Sequence, residues 1–366
     1  MTRAAGFSIE LSMEKYRIFI ICPLGFEELA ISEFKEKLGH IYLGEIFPLK
    51  GGFEIEDSLE IIPSLNHLLK IPSRILLRLK EQKCRDLPKL YQILVKFPWR
   101  NYFQQNNFLI KAQSTKSRLI HTKKIEETAR EAIEEHLKNH KLAGFHLNQT
   151  KPDQNIYLRF DDDTLTISLD TTGEHLHKRG ETSHRGHAAI RENFAAGLVK
   201  FLMPEKFEDC LFDPMCGSAT LLREYLNFYT KAQREFNYQY WKNAPKKIEE
   251  INETRKLTAF GNDRDESVIA GIKGIKNLTL SNYDMNEFDS FPAPNLILNP
   301  PYGKRIKIQG HKKTFFKDLV EKLLSRNIDR LGIIIPHPYA SQFKPSRFID
   351  FNQNGIKVRF LVFENL

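Results

Sequence analysis

From residue 171 onward the chain repeats one pattern: an apolar, strand-like run that stops on a polar side chain, then a helical or irregular stretch. The runs are DCLFD, LTAFGND, LTLSNYD, NLILN, LGIIIP and KVRFLVFEN, and the first four end at Asp213, Asp263, Asp284 and Asn299. Such alternation predicts a mainly parallel α/β sheet covered on both faces. Ligands of such sheets bind outside the carboxyl ends of the strands. Four polar tips along one edge are therefore expected to converge on a single crevice.

At 366 residues the chain has room for two or three domains, and 41% hydrophobic against 28% charged residues describes a globular protein with a sizeable core. No stretch approaches the roughly 18 consecutive apolar residues of a membrane span. MTRAAGFSIELSMEKYR has no continuous apolar segment and no cleavage site, so no secretory signal is read. Cys22, Cys84, Cys210 and Cys216 are scattered, without a CxxC pair or zinc-finger histidines, and free thiols in a reducing cytoplasm are expected. A net charge of +9 attracts polyanions such as nucleic acid, although a basic bias without that partner fits the charge equally well.

Residues 1–71 read as a small α+β module. IFIIC is a strand, Pro23-Leu24-Gly25 a turn, and FEELAISEFKEKLG a helix spaced through Phe26, Leu29, Phe34 and Leu38 and closed by Gly39. Residues 72–170 form a second unit. DLPKLYQILVKFPW is a helix that stops ahead of Pro98, and FLIKAQSTKSRL is a strand carrying Lys111, Lys116 and Arg118. TKKIEETAREAIEEHLKNH is amphipathic through Ile125, Ala129, Ile133 and Leu137. IYLRF and LTISLD flank Asp161-Asp162-Asp163, which reads as a solvated hairpin tip in preference to a metal site, since no second acidic cluster lies nearby. No metal is expected.

In the third unit, 171–366, LFDPMCGSAT sets Asp213, Pro214, Met215, Cys216 and Gly217 between a strand and a helix. Glycine permits close backbone approach, and the helix start offers free N–H groups. The loop lacks both G-x-G-x-x-G and GK[ST], which argues against phosphate cradling, and a plain strand–helix turn stays open as its alternative. Asp263, with Arg264 beside it, can accept hydrogen bonds from ribose hydroxyls, or cap a helix instead. Asp284, with Met285 beside it, can take the exocyclic amine of adenine. At Asn299-Pro300-Pro301-Tyr302 the chemistry is more specific. An amine on an aromatic base is a weak nucleophile because its lone pair is delocalised into the ring. Two acceptors, the Asn299 side-chain carbonyl and the Pro300 carbonyl, would fix its N–H bonds and aim the lone pair at a methyl donor. Pro301 would hold that geometry, and Tyr302 would offer an exposed face for stacking.

DPMCGSAT, GNDRDE, NYDMNEF and LILNPPYGKR resemble, in order, the motifs of class I S-adenosylmethionine-dependent methyltransferases acting on exocyclic amines. LDTTGEHLHKRG and IRENFAAGLV narrow the resemblance to RNA guanine methyltransferases that carry a THUMP domain. CPLGFEELAISEF and FPWRNYF match their N-terminal ferredoxin-like and THUMP modules. The resemblance implies S-adenosyl-L-methionine as cofactor, with Asp213 to Gly217 at its methionine end, Asp263 on the ribose and Asp284 on the adenine. It implies further cofactor contacts from Glu192 and Asn193, Asn299 to Tyr302 around the target base, and KVRFLVFEN as a seventh, antiparallel strand. Where the family has Gly-Ser-Gly-Thr this chain has Gly217-Ser218-Ala219-Thr220, so a methyl is expected where the cofactor comes close. No contact is assigned to 227–256.

His175, His177, His184 and His187 stand among Lys178, Arg179 and Arg185. Phosphate contact by those three basic residues is preferred over a histidine metal site, with Lys111, Lys116 and Arg118 as a second RNA-facing set. Cys216 as a nucleophile has little support, because amine methylation is a direct displacement. The reading that results is methyl transfer to the 2-amino group of a guanosine in RNA, expected to be large-subunit ribosomal RNA or a pre-ribosomal particle. No membrane or obligatory protein partner is evident. The same clamp acting on tRNA guanosine or on the 6-amino group of adenine is one rival; a non-catalytic RNA-binding assembly factor is another.

Overall fold

The repeated strand–helix pattern builds a seven-stranded sheet whose outer strands close on the chain's last residues. A computed structural model describes residues 14–104, 107–140, 154–179, 190–205, 207–250, 256–302 and 312–364. The N-terminal elements are β1 (Tyr16–Ile21), α1 (Glu27–Leu38), β2 (Ile46–Leu49), β3 (Gly52–Asp57), α2 (Ile62–Leu68) and β4 (Arg74–Lys83). Next come α3 (Leu87–Val95), β5 (Phe108–Thr115), α4 (Thr122–Asn139), β6 (Gln154–Asp161) and β7 (Thr164–Asp170). The C-terminal half opens with α5 (Glu192–Leu202), β8 (Cys210–Asp213), α6 (Thr220–Leu226), β9 (Thr258–Asn262), α7 (Glu266–Gly271) and β10 (Leu278–Ser281). It closes with β11 (Asn295–Leu298), α8 (Lys312–Leu324), β12 (Arg330–Pro336), α9 (His337–Ala340), β13 (Arg347–Gln353) and β14 (Ile356–Glu364).

The C-terminal sheet runs β10-β9-β8-β11-β12-β14-β13. Its first five strands are parallel, while β14 pairs antiparallel with β12 and with β13. KVRFLVFEN thus supplies the expected antiparallel strand. The order turns back between β8 and β11, the position where open α/β sheets form a crevice at their carboxyl edge. β13, RFIDFNQ, was not among the expected strands. It is an edge strand that mixes charged and apolar side chains, with no clean period-2 alternation to read.

The N-terminal strands join one continuous sheet in the order β2-β3-β1-β4-β7-β6-β5. β4 pairs with β1 on one side and β7 on the other, so it completes the βαββαβ module begun by β1. The Asp161–Asp163 turn is a two-residue hairpin in which Asp162 and Asp163 both have positive φ, as a type I′ turn requires. Asp163 accepts from the Arg118 amide at 2.8 Å and pairs with the Arg85 and Arg118 guanidinium groups. Among the described residues no cluster of His, Cys, Asp or Glu could hold a metal ion, and no helix is long and apolar enough to cross a membrane.

The two halves share a hydrophobic core. Phe26, at the start of α1, meets Phe194 of α5 and Phe351 of β13 edge-on at 5.1 and 5.8 Å. Gly197 makes this possible, since a Cβ there would lie 2.4 Å from the Phe26 ring. The segment left without a contact, 227–256, straps the halves together within its described part. Trp241 donates to Gln154 Oε1 of β6 at 3.0 Å, the Tyr238 amide to the Thr171 carbonyl at 3.0 Å, and the Ala232 amide to the His67 carbonyl at 2.8 Å. Its aromatic rings Phe236, Tyr238 and Trp241 are buried.

Candidate active site

β8 carries Asp213 to the carboxyl edge and buries it completely. Its Oδ1 accepts from the Met215 amide at 3.0 Å, fixing the turn that follows, and burial holds the carboxyl well above the usual carboxylate range. Pro214 and Cys216 are buried, and Met215 is half-buried. Gly217 has φ +51° and nothing within 4 Å of where a Cβ would stand, so its backbone borders open space. Ala219 also has positive φ, at +55°, but its methyl is buried in the core. The expected obstruction by Ala219 is therefore corrected: the methyl packs inward, and the cost is local backbone strain of about 1–2 kcal/mol. Burial pushes the Cys216 thiol up, which keeps it protonated and a poor nucleophile.

Asp263 follows β9 by one residue. Its Oδ2 accepts from the Gly217 amide and its Oδ1 from the Asp265 amide, both at 3.0 Å, so it ties the second strand end to the first. Arg264 is exposed. Asp284 lies beyond the end of β10 at Ser281, and not at the strand end expected for it; its carboxylate accepts from the Asn286 amide at 2.8 Å and caps a short turn containing Met285. The missed organiser is Asn262, 1% exposed at the tip of β9. It donates to the Pro214 and Tyr283 carbonyls at 3.2 and 3.1 Å, and accepts from the Tyr283 amide and Ser281 hydroxyl at 3.0 Å each. One side chain thus stitches the loops after β8, β9 and β10 together. Its signal was an amide in an otherwise apolar strand end, hidden by the acid that follows it.

β11 ends at Leu298, and Asn299 follows with its Oδ1 buried and, among the described residues, without a hydrogen-bond partner. Pro300 is buried and Pro301 half-buried. Tyr302 is not the exposed ring the sequence suggested. It is half-buried against both core clusters, and its hydroxyl donates to Gln353 Oε1 at 2.7 Å. Burial pushes this phenol up, so it stays a donor. Gln353, at the tip of β13, was also missed, because the strand itself was. Glu192 and Asn193 begin α5, both buried, and Asn193 Oδ1 has no partner among the described residues.

Arg179 is the clearest correction among the basic residues. It is buried, pairs with Glu224 of α6 at 2.8 Å and donates to the Leu176 and Lys70 carbonyls at 2.9 Å each, so it is unavailable to RNA phosphates. Lys178 is half-exposed and pairs loosely with Glu174 at 3.9 Å. Lys111, Lys116 and Arg118 are exposed on or beside the edge strand β5. Arg185, His184, His187 and Gly303 lie outside the described residues.

A family model for RMKL-like methyltransferase domains matches residues 179–338, and a THUMP-domain model matches residues 84–170. Residues 84–170 are thus a THUMP domain and residues 179–338 an RMKL-like methyltransferase domain. The THUMP match starts at the residue after β4 ends. A Ribosomal RNA large subunit methyltransferase K/L of Marinomonas sp. (strain MWYL1) is 27% identical over 80% of this chain and 44% of its own length. YpsC of Bacillus subtilis (strain 168), provisionally named an RNA methyltransferase, is 26% identical over 82% of each chain. A crystal structure from Clostridium difficile 630, described as a possible methylase, superposes with a TM-score of 0.79 at 27% identity, covering 96% of this chain and 98% of that one. The chain spans about half the length of the K/L relatives it matches. The sheet order and these matches make the C-terminal half a class I methyltransferase domain.

Proposed function

We propose that the chain transfers a methyl group from S-adenosyl-L-methionine to the 2-amino group of a guanosine in RNA, with large-subunit ribosomal RNA or a pre-ribosomal particle in the cytoplasm as substrate. The observation that carries this reading is the buried Oδ1 of Asn299, unpartnered among the described residues, beside the turn-back point of the sheet. A buried acceptor without a donor is unfavourable on its own, and an amine N–H would satisfy it. Pro300 and Pro301 restrict the backbone that carries it, so little reorganisation remains when the base arrives. The Tyr302 ring is held in place by Gln353, which suits it to stacking with the base.

The residues at the first three strand ends fit the cofactor. Open space at Gly217 admits close backbone approach, and Asp213 places a buried carboxyl at the same loop. Asp263 and Asp284 keep lone pairs free beyond those used by the backbone, for ribose and adenine respectively. S-adenosylmethionine supplies an electrophilic methyl group. The protein's part is to hold the amine with its lone pair toward that group, and the amine, made acidic by methylation, releases its proton to the acceptors or to water. The inward-facing Ala219 methyl removes the main reason to expect a non-catalytic binder.

Incubation with methyl-labelled cofactor and separate ribosomal and transfer RNA pools, followed by nucleoside digestion, tests the reading. Labelled 2-methylguanosine from the ribosomal pool is the expected product. Labelled 6-methyladenosine, or label confined to transfer RNA, overturns the substrate assignment.

A further inference from the structure

We propose that a cavity of about 380 Å³ between the N-terminal module and α5 receives a nucleotide flanking the target in the same RNA strand. This rests on the RNA reading above and gives the N-terminal module a direct role in holding substrate. Cys22, Pro23 and Leu24, in the loop after β1, form one wall, while Arg191 and Asn193 at the start of α5 form the facing one. Asn352, near the end of β13, completes the lining. Its neighbour Gln353 holds Tyr302, so the same strand end borders both the cavity and the target loop. In the sheet order it lies on the β13 side, away from β8, β9 and β10 with their cofactor loops.

The lining chemistry selects the ligand. Asn193 lines the cavity, 3% exposed, and among the described residues its Oδ1 has no hydrogen-bond partner, so a small turn of the side chain would offer that acceptor to a nucleobase N–H. The His175 and His177 rings stack with centroids 5.2 Å apart and planes 20° apart, adding flat aromatic surface. Arg191 is exposed and supplies the cation for a phosphate. Among the described residues no acidic side chain lines the cavity. His175 is lowered by burial and then by Arg74, Lys178 and Lys111, so positive charge also surrounds it. An acceptor, aromatic faces and cations without acids suit a nucleotide better than a cation or an apolar ligand, and the volume falls within the roughly 300–1,000 Å³ of small-molecule sites. Asn193 is thereby assigned to the RNA side of the crevice and not to the cofactor.

The test uses the full chain with transcripts of large-subunit ribosomal RNA containing 4-thiouridine, irradiated and mapped by mass spectrometry. Adducts are expected on peptides containing Cys22–Leu24 or His175–His177. Arg191→Glu, an exposed position, is expected to weaken RNA binding about tenfold and to reduce the slope of log affinity against log salt by about 0.7, as loss of one single-strand phosphate contact requires. Calorimetric affinity for S-adenosylmethionine reports whether the variant is folded. Asn193→Asp gives a second readout, because a carboxylate keeps an acceptor while repelling phosphate; RNA affinity is expected to fall more at low salt than at high. Adducts confined to other surfaces, with RNA affinity and salt slope unchanged in Arg191→Glu, overturn the proposal. If the unaltered protein methylates no RNA and forms no adduct, the RNA reading itself fails and takes this one with it.

Discussion

A buried carbonyl oxygen without a donor costs a protein about 1–3 kcal/mol, and among the described residues Asn299 carries one beside the crevice. That cost is recovered only when something donates to it, which argues for a binding atom over a structural one. Asn299→Ala is expected to lower methyl transfer by about 10²-fold or more. Cofactor affinity by calorimetry should stay within about threefold, because Asn299 acts on the base; near-normal turnover would remove it from that role. Gly217 supplies the complementary case. An added Cβ meets nothing within 4 Å, yet φ +51° disfavours any L side chain. Gly217→Ala is expected to cost about 1–2 kcal/mol of stability in denaturant titration and to weaken cofactor binding at least about tenfold, since the methyl enters the space the cofactor needs. Unchanged affinity would show that the cofactor does not pass this loop.

At the scale of elements, the parallel strands were legible because each apolar run ended on a polar residue, and that edge is what positions the site. Their ends shifted by up to three residues because Asp263 and Asp284 bond to nearby backbone amides and cap turns, a local competition that polarity alone does not reveal. Arg179 was misread for a different reason. Its partner Glu224 lies 45 positions along the chain on α6, so nothing near Arg179 in sequence indicated burial. The pair ties the linker before α5 to the helix that begins at the cofactor loop. Breaking one half of a buried ion pair strands the other charge. Arg179→Met is therefore expected to cost about 3–5 kcal/mol by chemical denaturation, and adding Glu224→Met should recover most of the loss. Equal destabilisation in single and double variants would mean that packing, and not the Arg179–Glu224 charge pairing, dominates.

Over the whole molecule, the seam between the two halves is where sequence reading ran out. The strap's aromatics and the buried charges find partners tens or hundreds of residues away, and no local period encodes such contacts. Lys37, fully buried on α1, donates to Glu33 Oε1 and to the Leu68 and Phe228 carbonyls, joining the N-terminal module to the start of the strap. Lys70, 2% exposed, lies in the same seam. Burial, then Arg179 and Lys37, push it down to about 7, against the pull of Glu224 and Glu33. Lys37 is also lowered, first by burial. Between about pH 7 and the ordinary lysine value the unfolded chain binds a proton at Lys70 that the folded chain does not, so raising pH through that window favours the fold. Below pH 7 the ammonium is charged in both states and its burial is a constant cost. Lys70→Met removes that cost, so the variant should melt higher than the parent at pH 6, with the gap closing by about pH 10 as the parent's lysine loses its burial penalty. Melting curves of both proteins from pH 6 to 10 check this, and a gap that stays constant across the window would mean that Lys70 keeps an ordinary lysine pKa within the seam.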